Sequence, residues 1–240
     1  MSAYNQDVIP SKAVYMQRIA DFVRLGYQYW TAGEIHAHRA ARLADKFRTY
    51  YRVDLDRNRR ARAKQHGNGC AVLLMHPLDA VTLHWLLLVT PGEHPAHKLE
   101  QLRDASSRRI RFDAYELVRH TRKGQSTPSW TWRLSDEAYE AWRDRIRATV
   151  RSGTDDDLRQ LIQSLHRMPG FAGNRAQGKS LQRLLRGEWR RIRRTPPPML
   201  PRLWYLRRLP VDAMPLALWL KRAGAAEKLA AASANDSQKL

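Results

Sequence analysis

Only one cysteine, Cys70, occurs in the 240 residues. That excludes an internal disulfide framework and any cysteine-rich zinc site, since each needs several thiols. Acids are scarce as well: 23 Asp and Glu stand against 43 Lys and Arg, a formal net charge of +20. No apolar run approaches the roughly 20 residues that cross a bilayer, so no membrane partner is expected. The N-terminal "MSAYNQDVIPSKAVY" has no basic segment followed by an apolar one and does not read as a secretory signal. These absences leave a cytoplasmic protein, cytosolic or nucleoid-associated.

Catalytic ligand sets are missing too. The strand-like segments carry no acidic cluster of the kind that two-metal nucleases and polymerases use. No His-x-His pair sits on a strand, as rolling-circle initiators and relaxases require. Among the nine histidines, His36 and His38 lie two apart on an expected helix and should point apart. His94 and His97 have no third ligand at a fixed spacing. Neither a metal nor another cofactor is expected.

Positive charge is abundant, and a surplus this large points to a polyanionic partner. Along the chain, residues 11–51 read as two helices. Ser11 caps the first, whose stripe is Val14, Ile19, Phe22, Val23 and Tyr27. "TAGE", Thr31 to Glu34, reads as a capping box that opens the second, which runs through Ile35, Leu43 and Phe47 to Tyr50 and Tyr51. The basic stretch 57–69 reads as a mobile connector or arm. From residue 70 the pattern turns to strands, "CAVLLMH" and "TLHWLLLVT", bounded by Pro77 and Pro91-Gly92. Then come a short helix, "HPAHKLEQLRDASS", a hairpin of "DAYELVRHTR" and "PSWTWRL", and a helix capped by Ser135.

Without its first strand this order is β-α-β-β-α, most of a ferredoxin-like or RNA-recognition-type unit. Either "RLWYLRRL" (202–209) or the strand at 70–76 could supply the remaining strand. The predicted fold is α+β in four regions. A helical N-terminal region covers 1–66, a ferredoxin-like domain 67–152, a basic helical region 153–225 and a disordered tail 226–240.

"GNRAQGKS", residues 173–180, fits the phosphate-loop pattern G-x-x-x-x-G-K-[ST] at every fixed position. The pattern works only where a buried strand feeds the loop and a downstream acid holds Mg²⁺. Here "LIQSLHRMPGFA" precedes it, reading as a helix, a turn and a loop, and no strand ending in Asp follows. Nucleotide-triphosphate chemistry is not expected.

The same segment predicts a basic helix over 179–194. Leu181, Leu184, Leu185, Trp189 and Ile192 share one face at 100° per residue. Arg183, Arg186, Arg190 and Arg193 fall opposite, with Lys179, Arg191 and Arg194 beside them. Glu188 is the only acid in the segment. Such a row suits a phosphate backbone, which offers bidentate contacts and counterion release. The hairpin adds Arg119, Arg122 and Lys123 near its tip, with Trp130 and Trp132 on one strand face. Exposed, the two tryptophans would stack bases; turned inward, they would be core.

The pattern at 82–152, with the basic helix at 179–194, resembles the CRISPR repeat-RNA endonucleases. The resemblance lies in element order and carries no specific motif. That family's glycine-rich C-terminal loop is missing, and the helical N-terminus lies outside the pattern. The resemblance implies a ferredoxin-like fold, an arginine-rich helix gripping an RNA stem, and metal-independent cleavage, with His84 or a nearby Arg as general acid or base. It also implies partners within a ribonucleoprotein complex. The rival expectation is a non-catalytic DNA-binding protein of a plasmid or integrative element, serving replication or mobilisation.

Overall fold

The computed structural model describes residues 6–121, 124 and 126–237, with side chains described as far as residue 226. In chain order the elements begin β1 (Asp7–Val8), α1 (Lys12–Arg24), β2 (Tyr29–His36), α2 (Ala37–Tyr51), α3 (Arg57–Gln65), β3 (Ala71–Pro77), β4 (Thr82–Val89), α4 (Ala96–Leu99) and β5 (Arg103–Asp104). They continue with β6 (Arg111–Phe112), β7 (Tyr115–His120), β8 (Ser129–Leu134), α5 (Asp136–Ser152), α6 (Asp155–His166), α7 (Ala172–Ile192), β9 (Met214–Pro215) and α8 (Leu216–Ser237). The class is mixed α+β. Among the described residues, no helix is long and apolar enough to cross a membrane.

The chain divides into two compact units, residues 1–108 with 210–240, and residues 109–209. This differs from the division at 66 and 152 expected from composition. The strands after residue 70 join the N-terminal helices, while the hairpin joins the basic helix.

In the first unit a six-stranded sheet runs in the order β5-β2-β4-β3-β1-β9. β1 is parallel to β3 and the other pairs are antiparallel. β4 is an apolar run because it is central, paired with β2 on one side and β3 on the other. On one face Leu73, Met75, Leu83 and Leu87 pack with Phe47 and Tyr51 of α2 and with Leu216 and Trp219 of α8. Ser11 caps α1 as expected, accepting from the Val14 N–H at 3.5 Å.

"TAGE" departs from its expected role. It lies inside β2, which pairs with β4 over eight residues from Tyr29↔Val89 to His36↔Thr82. Tyr, Trp, Thr and Ile fit a pleated, half-buried surface, and pairing with a central strand outweighs a local capping pattern. α2 starts only at Ala37. Residues 57–65, expected as a connector, form α3, whose N-cap Asp56 accepts from the Arg59 N–H at 2.8 Å. The short helix after Pro95 stops at Leu99. The segment expected as a disordered tail is helical as far as Ser237.

In the second unit β6-β7-β8 form an antiparallel sheet against which α7 packs, and α5 lies along α7 and α6. Trp132, Leu117, Ile146, Val150, Leu161, Leu181 and Leu185 are fully buried there. β4 and the β7–β8 hairpin therefore lie in separate sheets. The β-α-β-β-α stretch expected over 82–152 is not assembled around one sheet, because each strand set finds its partners in its own unit. Residues 202–209 join no ladder either.

Candidate nucleic-acid interface

α7 begins at Ala172 and not at Lys179, so "GNRAQGKS" is helix from its first residue. A proline-containing turn precedes it and no strand does. Its glycines serve close packing. A Cβ at Gly173 would lie 2.6 Å from the Trp132 carbonyl oxygen, and one at Gly178 would lie 2.8 Å from the Leu203 side chain. Arg175 N–H already donates to the Phe171 carbonyl at 2.9 Å, within the first turn. A backbone engaged in this way cannot wrap a phosphate as a glycine loop does.

The helix is amphipathic in the expected sense. Leu181, Leu185 and Trp189 are buried. Lys179, Arg183, Arg186 and Arg190 follow one another at intervals of four, three and four, which keeps them within about 60° of a common direction. All four are exposed. Among the described residues none of the four has a carboxylate partner, and Arg183 reaches only Ser180 Oγ, at 3.0 Å. Like charges at these spacings repel by a few tenths of a kcal/mol per pair. The row thus gains nothing from the fold that presents it.

Three neighbours behave differently from expectation. Arg193 is not in the outward row: its Nε donates to the Val150 carbonyl at 2.9 Å and its Nη2 to that of Gly153 at 3.0 Å. It also lies over the Trp189 ring at 5.5 Å. It closes the C-terminal end of α5, whose last carbonyls need donors. Arg191 is exposed but bonds Glu188 at 2.9 Å. Ile192, expected on the apolar face, is 40% exposed because the helix ends there. Arg194 is exposed. Glu188 is 3% exposed, held by Arg191 and lying 3.8 Å from Arg151. The one acid in residues 158–211, against thirteen Lys and Arg, is thereby withdrawn from the surface.

The hairpin gives a mixed outcome. Arg119 is exposed and lies over Trp130 at 5.5 Å, its partner in the β7–β8 register. Trp130 is half-buried. Trp132, two residues further from the tip and opposite Leu117, is 0% exposed, so it is core and cannot stack a base. Arg122 and Lys123 lie outside the described residues.

Sequence reasoning missed two features. Residues 199–209 run extended along α7: Gln182 Nε2 donates to the Pro201 carbonyl at 2.9 Å, and the Leu206 N–H to that of Gly170 at 3.0 Å. This strap presents Trp204 and Tyr205, 68% and 57% exposed. "WY" between arginines was the available signal, but the surrounding leucines read as a strand. In the first unit, α3 carries five Lys and Arg in nine residues and buries none of them.

The five histidines considered from the sequence, His36, His38, His84, His94 and His97, each contact a neighbouring protein group. His36 and His38 do not point apart; their Nδ1 atoms lie 2.7 Å from each other, because the helix begins between them. His94 Nε2 is 3.2 Å from the Tyr51 carbonyl oxygen and His97 Nε2 is 2.9 Å from that of Thr90. His84 Nδ1 lies 2.8 Å from the Tyr15 hydroxyl, and burial, then the nearby His76, lowers its pKa to about 4. A base that weak is poorly matched to neutral pH. Among the described residues no three His, Cys, Asp or Glu side chains are grouped to hold a metal ion. The chain matches no protein-family model, and no curated protein or solved structure is significantly similar to it.

Proposed function

We propose that the protein binds nucleic acid through the outward row of α7, with RNA favoured over DNA. The observation that carries this reading is the alignment of Lys179, Arg183, Arg186 and Arg190, all exposed and without carboxylate partners among the described residues. The eleven helical steps from Lys179 to Arg190 rise about 16 Å, a length over which duplex DNA carries roughly ten phosphates. Phosphate oxygens would meet the guanidinium forks bidentately and relieve the repulsion within the row. The net charge of +20 supports the same reading by drawing a polyanion from a distance.

A gel shift with single-stranded RNA, hairpin RNA and duplex DNA, each in EDTA at two salt concentrations, tests it. Binding that weakens with salt supports the reading. Absence of binding to all three probes at low salt overturns it. The EDTA lanes also separate metal-independent RNA cleavage from binding alone.

A further inference from the structure

We propose that Trp204 and Tyr205 form a base-stacking platform beside the α7 row, so that the preferred ligand is a single-stranded stretch of nucleic acid. This rests on the reading of α7 as the phosphate-binding element. Exposed large aromatics cost hydration free energy, and two consecutive ones on a fixed backbone mark an interaction surface. The strap is held in place before any ligand arrives. Leu203 packs over Gly178, and the two backbone contacts to Gln182 and Gly170 fix its ends.

The rings themselves are oriented. Trp204 Nε1 donates to His166 Nε2 at 3.0 Å, and the Arg175 guanidinium lies over the Tyr205 ring at 5.3 Å. Adjacent residues of an extended chain project to opposite sides, so the two rings flank the strap. Tyr205 stands on the side of α7, through Arg175, and Trp204 on the side of α6, through His166. Ordering such rings in advance removes part of the entropy cost of binding.

Charge complementarity selects the occupant. The strap has Arg202 and Arg207 exposed and contains no acid. On α7, the residues that touch the strap (Arg175, Gly178 and Gln182) lie about 80° around the helix from the outward row, by the 100° step. The aromatic rings and the cations of the α7 row therefore belong to a single unit, with the Tyr205 side of the strap nearer the row. Bases in a duplex are already stacked within their own helix and cannot lie on a protein ring. Bases of a single strand, or of a loop, can do so irrespective of sequence.

The test uses the full chain and fluorescein-labelled oligonucleotides: single-stranded RNA, single-stranded DNA of the same sequence, and each annealed to its complement. Trp204→Ala with Tyr205→Ala should weaken single-strand binding by about tenfold or more and duplex binding by less than twofold. Trp204→Phe with Tyr205→Phe should restore most of the loss. Tryptophan fluorescence should be quenched by the single strand more in the parent than in Trp204→Phe. If the parent binds none of the probes, the nucleic-acid reading fails and this inference fails with it. If the parent binds but the alanine pair lowers single-strand and duplex affinity equally, or changes neither, the platform alone is overturned. An alanine pair with an altered thermal midpoint moves the decision to the phenylalanine pair and the quenching. Unchanged quenching in Trp204→Phe then overturns the platform.

Discussion

The Tyr15 hydroxyl lies 2.8 Å from His84 Nδ1, within hydrogen-bond distance. Burial raises the Tyr15 pKa well above its ordinary value, so the phenol keeps its proton. Burial, then the nearby His76, holds the His84 pKa at about 4, so its imidazole is neutral at pH 7 and one ring nitrogen carries the proton. Tyr15 also stacks on His76, with ring centres 5.1 Å apart, and His76 Nδ1 is 2.8 Å from the Ile9 carbonyl oxygen. The two histidines are partners across β3 and β4, with Glu34 opposite His84 on β2 and Lys12 near His76.

This cluster predicts acid sensitivity. The pKa of His84 falls from 6.5 unfolded to about 4 folded, so between these values the unfolded chain binds the extra proton. Stability is complete above pH 6.5 and is lost as pH falls towards 4, by up to about 3 kcal/mol in total and about 2 by pH 5. Burial lowers the pKa of His76 and His94 as well, which adds loss of the same sign. Urea unfolding at pH 7.5 and 5.0 reads the difference, and His84→Gln should reduce it. A variant with the parent's full pH dependence would remove His84 from the account.

Glu116 provides a second check. It is 1% exposed and accepts from Arg109 at 2.7 Å and from Arg133 at 2.6 and 2.7 Å. Glu116→Gln keeps the shape but leaves Arg109 without a counter-charge and Arg133 with only the exposed Asp136, 3.1 Å away, at a cost of roughly 2–3 kcal/mol. Arg109→Gln should cost less, because Arg109 is half exposed and Arg133 still pairs with the carboxylate. Equal costs by urea unfolding would mean that the carboxylate is not the centre of this cluster.

The glycine motif on α7 separates packing from phosphate chemistry. Gly173→Ala forces a Cβ against the Trp132 carbonyl oxygen, which belongs to the β8 backbone and cannot swing away. Overpacking of this kind costs about 1–3 kcal/mol. Lys179→Ala alters an exposed side chain and should change stability by less than about 0.5 kcal/mol. Calorimetry should detect no ATP binding in the parent or in either variant. Micromolar ATP affinity lost only in Lys179→Ala would restore the phosphate-loop reading.

Local signals were readable where local chemistry decides the outcome. Ser11 and Ser135 each cap a helix through the side-chain contact that their sequence context implies. The β7–β8 hairpin and the buried face of α7 follow from periodicity alone. Longer-range choices did not. "TAGE" is a strand because β4 is available to pair with it, and nothing local records that availability. Trp130 and Trp132 carry the same alternation signal, yet only the position of Trp132 opposite Leu117 buries it. Arg193 looks like a member of the outward row until the end of α5 is seen to need its donors. Residues 202–209 alternate like a strand but meet a helix and a turn in place of an edge.

The outward row of α7 carries the most discriminating prediction. Arg183, Arg186 and Arg190 are exposed, while Leu185 on the same helix is 0% exposed. Replacing the three arginines by Gln removes three candidate phosphate contacts and leaves the apolar face intact. Each contact contributes about 0.9 to the slope of log affinity against log salt on duplex DNA, and about 0.7 on a single strand. The triple variant should therefore lose about two to three units of slope and bind every sequence more weakly. Its thermal midpoint should not fall, because repulsion within the row is relieved. Leu185→Ala should do the opposite, costing roughly 2–5 kcal/mol of stability through a core cavity while the folded fraction keeps the parent's salt slope. Titrations at four or more salt concentrations, paired with thermal melts, distinguish the two. A triple variant that kept the full slope would show that the phosphates are held elsewhere, and one that unfolded would show that these arginines support the fold.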